Sequence, residues 1–174
     1  MAKLLQIAQL GHPILRKRAS HVKEVRESTI QSLIDDMLAT MKDASGVGIA
    51  APQVYESHRI MIVSSYPSAR YPHAPKMGPI PMVNPEIQWT SEEVEKDWEG
   101  CLSIPGIRGL VPRSKRIKVK YVTKDGKIGE REFADFVARV FQHELDHLNG
   151  IVFTDRLESP IDMITEKEYM KLVS

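Results

Sequence analysis

Two histidines and one glutamate near the C-terminus have the types and spacing of a hydrolytic metal site. His143 and His147 are four residues apart, so on a helix their imidazoles lie on one face and can bind one metal ion. Glu144 is turned from His143 by about a third of a turn, which keeps its carboxylate off the metal but near a water bound to it. This geometry indicates metal-assisted hydrolysis, although so short a pattern also occurs on ordinary exposed helices.

The helix that must carry these residues is predicted at 135–149. Asp135 is a candidate N-cap, and Gly150 follows the last periodic residue as a C′ glycine. An apolar stripe at helical spacing gives the helix one face for packing. The stripe consists of Val137, Val140, Phe141, Leu145 and Leu148. The helix is therefore expected to pack by one face and to present both histidines near the edge of that face.

The rest of the chain predicts one more long helix and several short strands. Ser28-Thr29-Ile30-Gln31 has the form of a capping box and opens an apolar stripe that predicts a helix at 28–43. Period-two alternation on both sides of the turn at 124–127 predicts a β-hairpin. Strands are predicted at 59–64, 86–94, 116–123, 128–133 and 151–154. The proline-rich segment 66–85 is expected to be an ordered surface excursion with extended stretches, and the tail at 162–171 to be weakly helical. The expected fold class is α+β, with antiparallel strands wrapped around the 135–149 helix and the 28–43 helix packed outside.

Length and composition indicate one cytoplasmic domain. A chain of 174 residues has the usual size of a single domain, so we expect residues 1–174 to form one. The 24 lysines and arginines balance 23 aspartates and glutamates, which argues against nucleic-acid or anionic-membrane partners. No apolar run approaches the roughly twenty residues of a membrane span, and the first ten residues lack the features of a secretory signal. Cys101 is the only cysteine, which excludes an internal disulfide.

A catalytic metal site needs a third protein ligand in addition to two histidines. Gluzincin-type peptidases, which have this histidine spacing, take it from a downstream carboxylate. The carboxylates available for that role here lie in the short tail: Glu158, Asp162, Glu166 and Glu168. Cys101 is the other candidate, because it lies between a glycine and a turn rather than inside an apolar run. Spacing and composition alone leave both choices open.

Three unusual stretches together resemble the signature motifs of the peptide deformylases. They are Gly46 to Gln53, Glu99 to Ser103 and Gln142 to Gly150, and they occur in the family's order and at about its separations. The resemblance extends over nearly the full length of the chain. It implies that Cys101 is the third ligand and that a water fills the fourth position of a tetrahedral site. The family usually uses Fe²⁺, which Zn²⁺, Ni²⁺ or Co²⁺ can replace, and the ligand set does not choose among them.

The resemblance also assigns catalytic roles. The metal is expected to lower the pKa of its water, Glu144 to accept the proton, and the resulting hydroxide to attack the formyl carbon. The Gln53 side-chain amide and the backbone N–H of Leu102 are expected to donate to the oxyanion that forms. Glu144 then returns the proton to the departing amine, and the products are formate and a peptide with a free N-terminus.

The substrate implied by the resemblance is the N-formylmethionyl end of a nascent chain, met in transient proximity to the ribosome. The peptide is expected to lie extended along the main chain of Val47, Gly48 and Ile49, with Gly100 on its other side. An apolar methionine pocket is expected from Val47, Val140 and the face of His143, with Glu99 and Arg108 near its rim. Arg113 is the expected partner of Asp146 beneath the site.

Two other functions remain as alternatives. A zinc endopeptidase would need a tail carboxylate as ligand and would leave Cys101, Gly48 and Gln53 without a role. A non-enzymatic module that uses the metal structurally is disfavoured, because structural zinc sites are normally closed by four protein ligands.

Overall fold

Eight strands, all paired antiparallel, form two sheets in the computed structural model, which describes residues 2–174. The strands are β1 (Gly48–Ala50), β2 (Ile60–Ser65), β3 (Met77–Thr90), β4 (Val94–Cys101), β5 (Ile104–Ser114), β6 (Arg116–Val122), β7 (Ile128–Ala134) and β8 (Met163–Thr165). One sheet has the order β1-β2-β3-β6-β7 and the other the order β4-β5-β8. Both β1 and β4 are therefore edge strands.

Three α-helices accompany the sheets within the described residues. They are α1 (Ser28–Asp43), α2 (Asp135–Leu148) and α3 (Glu166–Val173). Short 3₁₀ helices occur at Pro13–Arg16, Ala51–Val54, Phe153–Arg156 and Pro160–Asp162. None of the helices in residues 2–174 has the length and hydropathy needed to cross a membrane.

The five-stranded sheet is packed on both faces, because consecutive side chains of β2 point to opposite sides. Met61 and Val63 join the core beneath α2, whereas Ile60 and Ile62 join the core beneath α1. All six residues of β2 are buried. The helix α2 lies between the two sheets and contacts strands of both. The predicted α+β fold, with antiparallel strands around this helix and α1 outside, is confirmed.

Several element boundaries agree with the sequence patterns. The helix at 28–43 is observed with those limits, and the hairpin is formed by β6 and β7. Gly150 follows α2 with φ of +75°, as a C′ glycine requires. The two predicted N-caps are wrong. Glu27 precedes α1 and Ala134 precedes α2, and neither helix start has a side-chain cap.

The C-terminal third departs from the prediction in two places. The strand expected at 151–154 is wrong: Phe153–Arg156 is a 3₁₀ helix, where the Asp155 carboxylate accepts the Val152 N–H. The tail contains β8 as well as α3, and β8 pairs with β5. Earlier in the chain, the strand predicted at 86–94 is also displaced: β3 runs from Met77 to Thr90, and β4 starts at Val94 inside the charged segment 92–97.

Candidate metal centre and active site

Three possible metal donors from two elements meet at one point. Cys101 ends β4, and His143 and His147 lie one turn apart on α2. The ligand atoms of the three residues all lie within 4.8 Å of one another, and Sγ of Cys101 is 3.2 Å from Nε2 of His147. No other such group of His, Cys, Asp and Glu occurs in residues 2–174. The structure thus brings together the thiol and the two imidazoles that the resemblance implied as ligands.

Glu99 fixes the orientation of the first histidine. Its Oε2 lies 2.8 Å from Nδ1 of His143, so Nδ1 carries the proton and Nε2 faces the cysteine. Phe153 stacks on the same imidazole, with ring centroids 6.2 Å apart. A carboxylate behind a histidine is the usual arrangement around protein-bound metals, because it holds the ring and makes it a better ligand.

Two buried arginines hold Glu99 in its ionised form. Arg113 donates to both carboxylate oxygens, at 2.8 and 3.1 Å, and Arg139 donates to Oε1 at 3.1 Å. Burial alone would raise the pKa of Glu99, but the charge of Arg113 and the hydrogen bond with His143 hold that pKa well below its usual value. Arg113 also binds Asp146 at 2.6 Å, the partnership implied by the resemblance.

The Glu144 carboxylate is buried beside the donor group. Its Oε2 has no hydrogen-bond partner among the described residues, and burial raises the pKa of Glu144 to about 7. Gly48 makes room for this carboxylate: a Cβ at position 48 would lie 2.3 Å from Oε1 of Glu144. The glycine in the first motif is therefore required by contact with the third motif.

The donor group fits a divalent metal on its own chemistry. A thiolate and two imidazoles are ligands that Zn²⁺ and other first-row divalent ions accept. Burial lowers the pKa of His147 well below its usual value, which favours the neutral imidazole that binds metals. The unpartnered oxygen of Glu144 lies next to the group without being needed as a ligand. Three protein ligands are the number that catalytic metal sites use, in which a further position would be left for water or substrate.

Gln53 is held so that its amide nitrogen faces the donor group. Its Oε1 accepts the backbone N–H of Ala50 at 2.9 Å, which turns Nε2 toward Ser103 Oγ at 3.2 Å and Cys101 Sγ at 3.6 Å. The N-terminal segment secures this arrangement, because Ala8 donates to the carbonyl of Gln53. The 3₁₀ helix at Ala51–Val54 thus presents one oriented N–H donor.

A cavity of about 280 Å³ opens above the donor group. Val47 and Gly48 line it from the β1 side, and Gly100 and Leu102 line it from the side of β4. Val140 and His143 of α2 contribute an apolar wall. The cavity therefore lies between two sheet edges, where an extended peptide can reach backbone groups on either side.

Three expected substrate-binding residues have buried side chains. The side chain of Ile49 is buried in the core beneath α1, so only its backbone belongs to the β1 edge. Glu99 lines the cavity, but its side chain is buried behind His143. Arg108 is also buried, and its guanidinium binds Glu166 and Tyr71.

The carboxylates considered as alternative ligands are engaged elsewhere. Glu158 and Asp162 bind Lys96, Glu168 binds Lys171, and Glu166 binds Arg108. None belongs to the group around His143 and His147.

Sequence reasoning missed Arg139, Ser103 and Tyr71. Arg139 had one signal, which is its position one turn before His143 on the same helix. The other two have none, since their contacts come from distant segments.

The family model for polypeptide deformylase matches residues 4–162. Peptide deformylase 2 of Nostoc sp. is 54% identical over 172 residues, which are 99% of this chain and 96% of that protein. Peptide deformylase 2 of Shewanella oneidensis is 42% identical over 166 residues, covering 95% of this chain and 91% of the relative.

Solved structures give the same result. A crystal structure of class I type b peptide deformylase from Acinetobacter baumannii, described as bound to Met-Ala-Ser, superposes with a TM-score of 0.88 at 48% identity. It covers 90% of this chain and 100% of the other. The peptide deformylase of Thermotoga maritima superposes with a TM-score of 0.79 at 41% identity, covering 90% and 99%. The zinc endopeptidase alternative receives no support from these relatives, and a non-enzymatic role is wrong. The chain belongs to the polypeptide deformylase family.

Proposed function

We propose that this enzyme, a metal-dependent hydrolase that removes the N-terminal formyl group from nascent polypeptides, binds N-formylmethionyl ends in the cavity and moves the reaction's proton through Glu144. The observation that supports this best is the position of Glu144. Its unpartnered Oε2 is buried beside the group of Cys101, His143 and His147. The carboxylate lines the same cavity as Cys101 and His143 without being one of the three candidate ligands.

Cys101, His143 and His147 are the proposed metal ligands, and Fe²⁺ is the proposed physiological ion. A divalent ion held there supplies Lewis acidity, which lowers the pKa of water and polarises a carbonyl oxygen. Glu99 keeps Nδ1 of His143 occupied, so Nε2 is the free ligand atom. The thiolate and imidazole donors also accept Zn²⁺, Ni²⁺ and Co²⁺. Metal analysis of protein purified without oxygen tests the choice of iron.

Glu144 and Gln53 have separate proposed roles in the reaction. Glu144 accepts a proton from the attacking water at its free oxygen and later delivers it to the departing amine nitrogen. The Nε2 of Gln53 and the backbone N–H of Leu102 donate to the oxyanion that replaces the formyl carbonyl. The bond between Ala50 N–H and Gln53 Oε1 prepares this donor before substrate arrives.

The two sheet edges suit a formylated peptide. The backbone of 47–49 can pair with an extended chain as an added strand, and Gly100 bounds the other side. The apolar wall of Val47, Val140 and the His143 ring is the proposed methionine pocket. The Acinetobacter structure described as bound to Met-Ala-Ser supports a peptide that begins with methionine.

Residues 1–174 are proposed to form one catalytic domain. This is supported by the shared position of α2 between both sheets and by a family match that spans residues 4–162. Because formylated nascent chains emerge at the ribosome, we place the enzyme in the cytoplasm, in transient proximity to ribosomes.

Formate release tests this function. Protein loaded anaerobically with iron or nickel should release formate from formyl-Met-Ala-Ser, faster than from formyl-Leu-Ala-Ser and not from acetyl-Met-Ala-Ser. Glu144→Gln should keep its metal but lose about 10²-fold or more in turnover. Glu132→Gln, an exposed carboxylate on β7, is the control and should behave as wild type. Absence of formate with every metal tested would overturn the proposal.

A further inference from the structure

Arg108, on β5, is enclosed by residues from two other segments of the chain. Its Nε lies 2.5 Å from Oε2 of Glu166 at the start of α3, and its Nη1 lies 2.6 Å from the hydroxyl of Tyr71. The Tyr71 and Tyr169 rings flank the guanidinium, with centroids 5.2 and 4.8 Å from Cζ. The Tyr169 hydroxyl in turn donates to the carbonyl of Arg70 at 2.6 Å. This group ties the C-terminal helix to the segment before β3.

The same group forms one wall of the active-site cavity. Tyr71, Arg108 and Glu166 all line it. The guanidinium packs on the backbone of Gly100, where an added Cβ would lie 2.6 Å from Cζ of Arg108. Since Gly100 directly precedes Cys101, this wall adjoins the metal centre. A peptide held between β1 and β4 therefore passes beside it.

Arg108 and Glu166 form an ion pair whose two side chains are not equally accessible to solvent. The side chain of Arg108 is 3% exposed, whereas that of Glu166 is 33% exposed. Of the carboxylates that line the cavity, Glu99 and Glu144 are buried, so Glu166 is the acid that solvent and substrate can reach. Arg108 is neutralised and buried, so the Glu166 carboxylate is the charge of this ion pair that faces the peptide.

Arg70 is the other charge to consider on this side of the cavity. It lines the cavity and donates to the carbonyl of Ser45 at 2.6 Å. It therefore lies toward the segment before β1 and forms no ion pair with Glu166 in this structure. Its charge helps to lower the pKa of Glu166, so Glu166→Gln also leaves Arg70 less compensated and shifts selection toward acidic peptides in the same direction.

We propose that Glu166 is a specificity-determining residue: it withdraws Arg108 from the substrate and presents its own carboxylate, so that acidic side chains after the formylmethionine are disfavoured and basic ones favoured. The inference rests on the proposed function, because it assigns a substrate preference to the same cavity. It gives the C-terminal helix a part in catalysis that the three motifs do not include. Glu166 acts through charge on peptide selection and not on the reacting atoms.

A structural role alone predicts a different result. If Glu166 only anchors α3, its loss lowers stability and affects every peptide in the same proportion. If it selects peptides, the ratio of kcat/KM between acidic and neutral peptides changes. Glu166→Gln keeps the shape and one acceptor for Arg108 but removes the charge. Glu168→Gln is the matched control, since Glu168 lies two residues away on the same helix and pairs with Lys171 outside the cavity.

The experiment compares kcat/KM of the iron- or nickel-loaded enzyme for formyl-Met-X-Ser and formyl-Met-Ala-X, where X is Asp, Asn or Lys. For Glu166→Gln, in at least one series, we expect the Asp-to-Asn ratio to rise by about three- to tenfold and the Lys-to-Asn ratio to fall by a similar factor. Glu168→Gln should leave both ratios as in wild type. In wild type, about 1 M salt should move both ratios toward one, because the Debye length shrinks to about 3 Å.

The possible results distinguish failure of this inference from failure of the proposed function. Ratios unchanged by Glu166→Gln in both peptide series overturn this inference while the proposed function stands. If the variant does not fold, wild-type ratios that do not respond to salt overturn it in the same way. A wild-type enzyme that releases no formate from the Asn peptides overturns the proposed function and this inference with it.

Discussion

Glu99 has a larger part in the metal centre than its place in the second motif indicates. Its carboxylate joins His143 to Arg113 and Arg139, so one buried anion satisfies two buried cations and an imidazole. A buried charge that loses its partner is costly, because neither water nor another group replaces the lost contact. Glu99 therefore couples metal binding to the packing of β4 and β5 against α2.

Glu99→Gln should weaken metal binding and also destabilise the metal-free fold, because Arg113 and Arg139 lose their shared anion. The neutral side chain can still accept one N–H, but the ring of His143 loses its anionic partner, which typically costs about 10- to 100-fold in metal affinity. Competition with a chromophoric chelator measures the affinity, and thermal melting of the metal-free proteins measures the fold. Glu95→Gln is the control, since that side chain is exposed on the same strand. Equal affinity in wild type and Glu99→Gln would contradict the assigned role.

Gly48→Ala tests the contact between the first and third motifs. The new methyl group would lie 2.3 Å from Oε1 of Glu144, so the carboxylate must move. Displacement of a catalytic group by about 1 Å can cost about 100-fold in turnover, and we expect a loss of that order with little change in metal content. Gly78→Ala is the control, because nothing lies within 4 Å of the added carbon. Formate release at the wild-type rate from Gly48→Ala would show that the carboxylate position is not critical.

Local spacing in the sequence was enough to predict some residues of the candidate site but not others. His143, Glu144 and His147 share one helical turn, so their relation could be predicted from sequence alone. Cys101 and Gln53 needed the resemblance, because nothing local brings them to the helix. The partnership of His143 with Glu99 spans 44 positions, and Arg139 reaches Glu99 across 40. Such pairs depend on how β4 packs against α2, which one sequence does not reveal.

At the level of elements, contacts with other segments replaced the capping interactions that the sequence predicted at the start of α1. Gln31 was expected to close a capping box with Ser28, but its side-chain amide donates to the carbonyls of Val25 and Lys124. The long helices and the hairpin were predictable because their apolar periodicity extends over many residues. The strand β8 was not, since three residues paired with β5 leave almost no pattern.

The attachment of α3 to β5 should depend on pH. The hydrogen bond from Arg108 lowers the pKa of Glu166 below its usual value. A carboxylate with a depressed folded-state pKa stabilises the fold above its unfolded pKa, about 4.3, and this contribution is lost as the pH falls through the folded value. The wild type should therefore be more stable than Glu166→Gln near neutral pH, and the difference should narrow below about pH 4.

Urea unfolding followed by circular dichroism measures this difference, with the midpoints of both proteins compared from about pH 7 to about pH 3. Glu168→Gln, which removes an exposed carboxylate of the same helix, should show a much smaller difference from wild type throughout. If the difference in urea midpoint between wild type and Glu166→Gln increased as the pH fell, Arg108 would not be holding Glu166 in its ionised form.

At the level of the whole molecule, the metal centre adds a connection between the three-stranded sheet and α2, which Glu99, Arg113 and Arg139 already join by hydrogen bonds. Cys101 belongs to the three-stranded sheet, whereas both histidines belong to α2, which packs on the five-stranded sheet. A metal bound by all three ligands therefore connects the two sheets through the central helix. Since the unfolded chain does not present this site, binding free energy adds to the free energy of unfolding.

Removal of the metal should thus destabilise the whole fold and not only the site. With free metal at about 100 times its Kd, bound metal contributes about 2.7 kcal/mol. For a chain of this length that corresponds to a rise in Tm of about 5 to 10 °C. Calorimetry with and without chelator, under anaerobic conditions, should show one transition that shifts as a unit. Cys101→Ser should lose most of the shift, and His73→Ala, an exposed histidine, should retain it. If Cys101→Ser kept the full change in Tm on metal removal, the metal would be held without the thiolate and would not connect the two sheets.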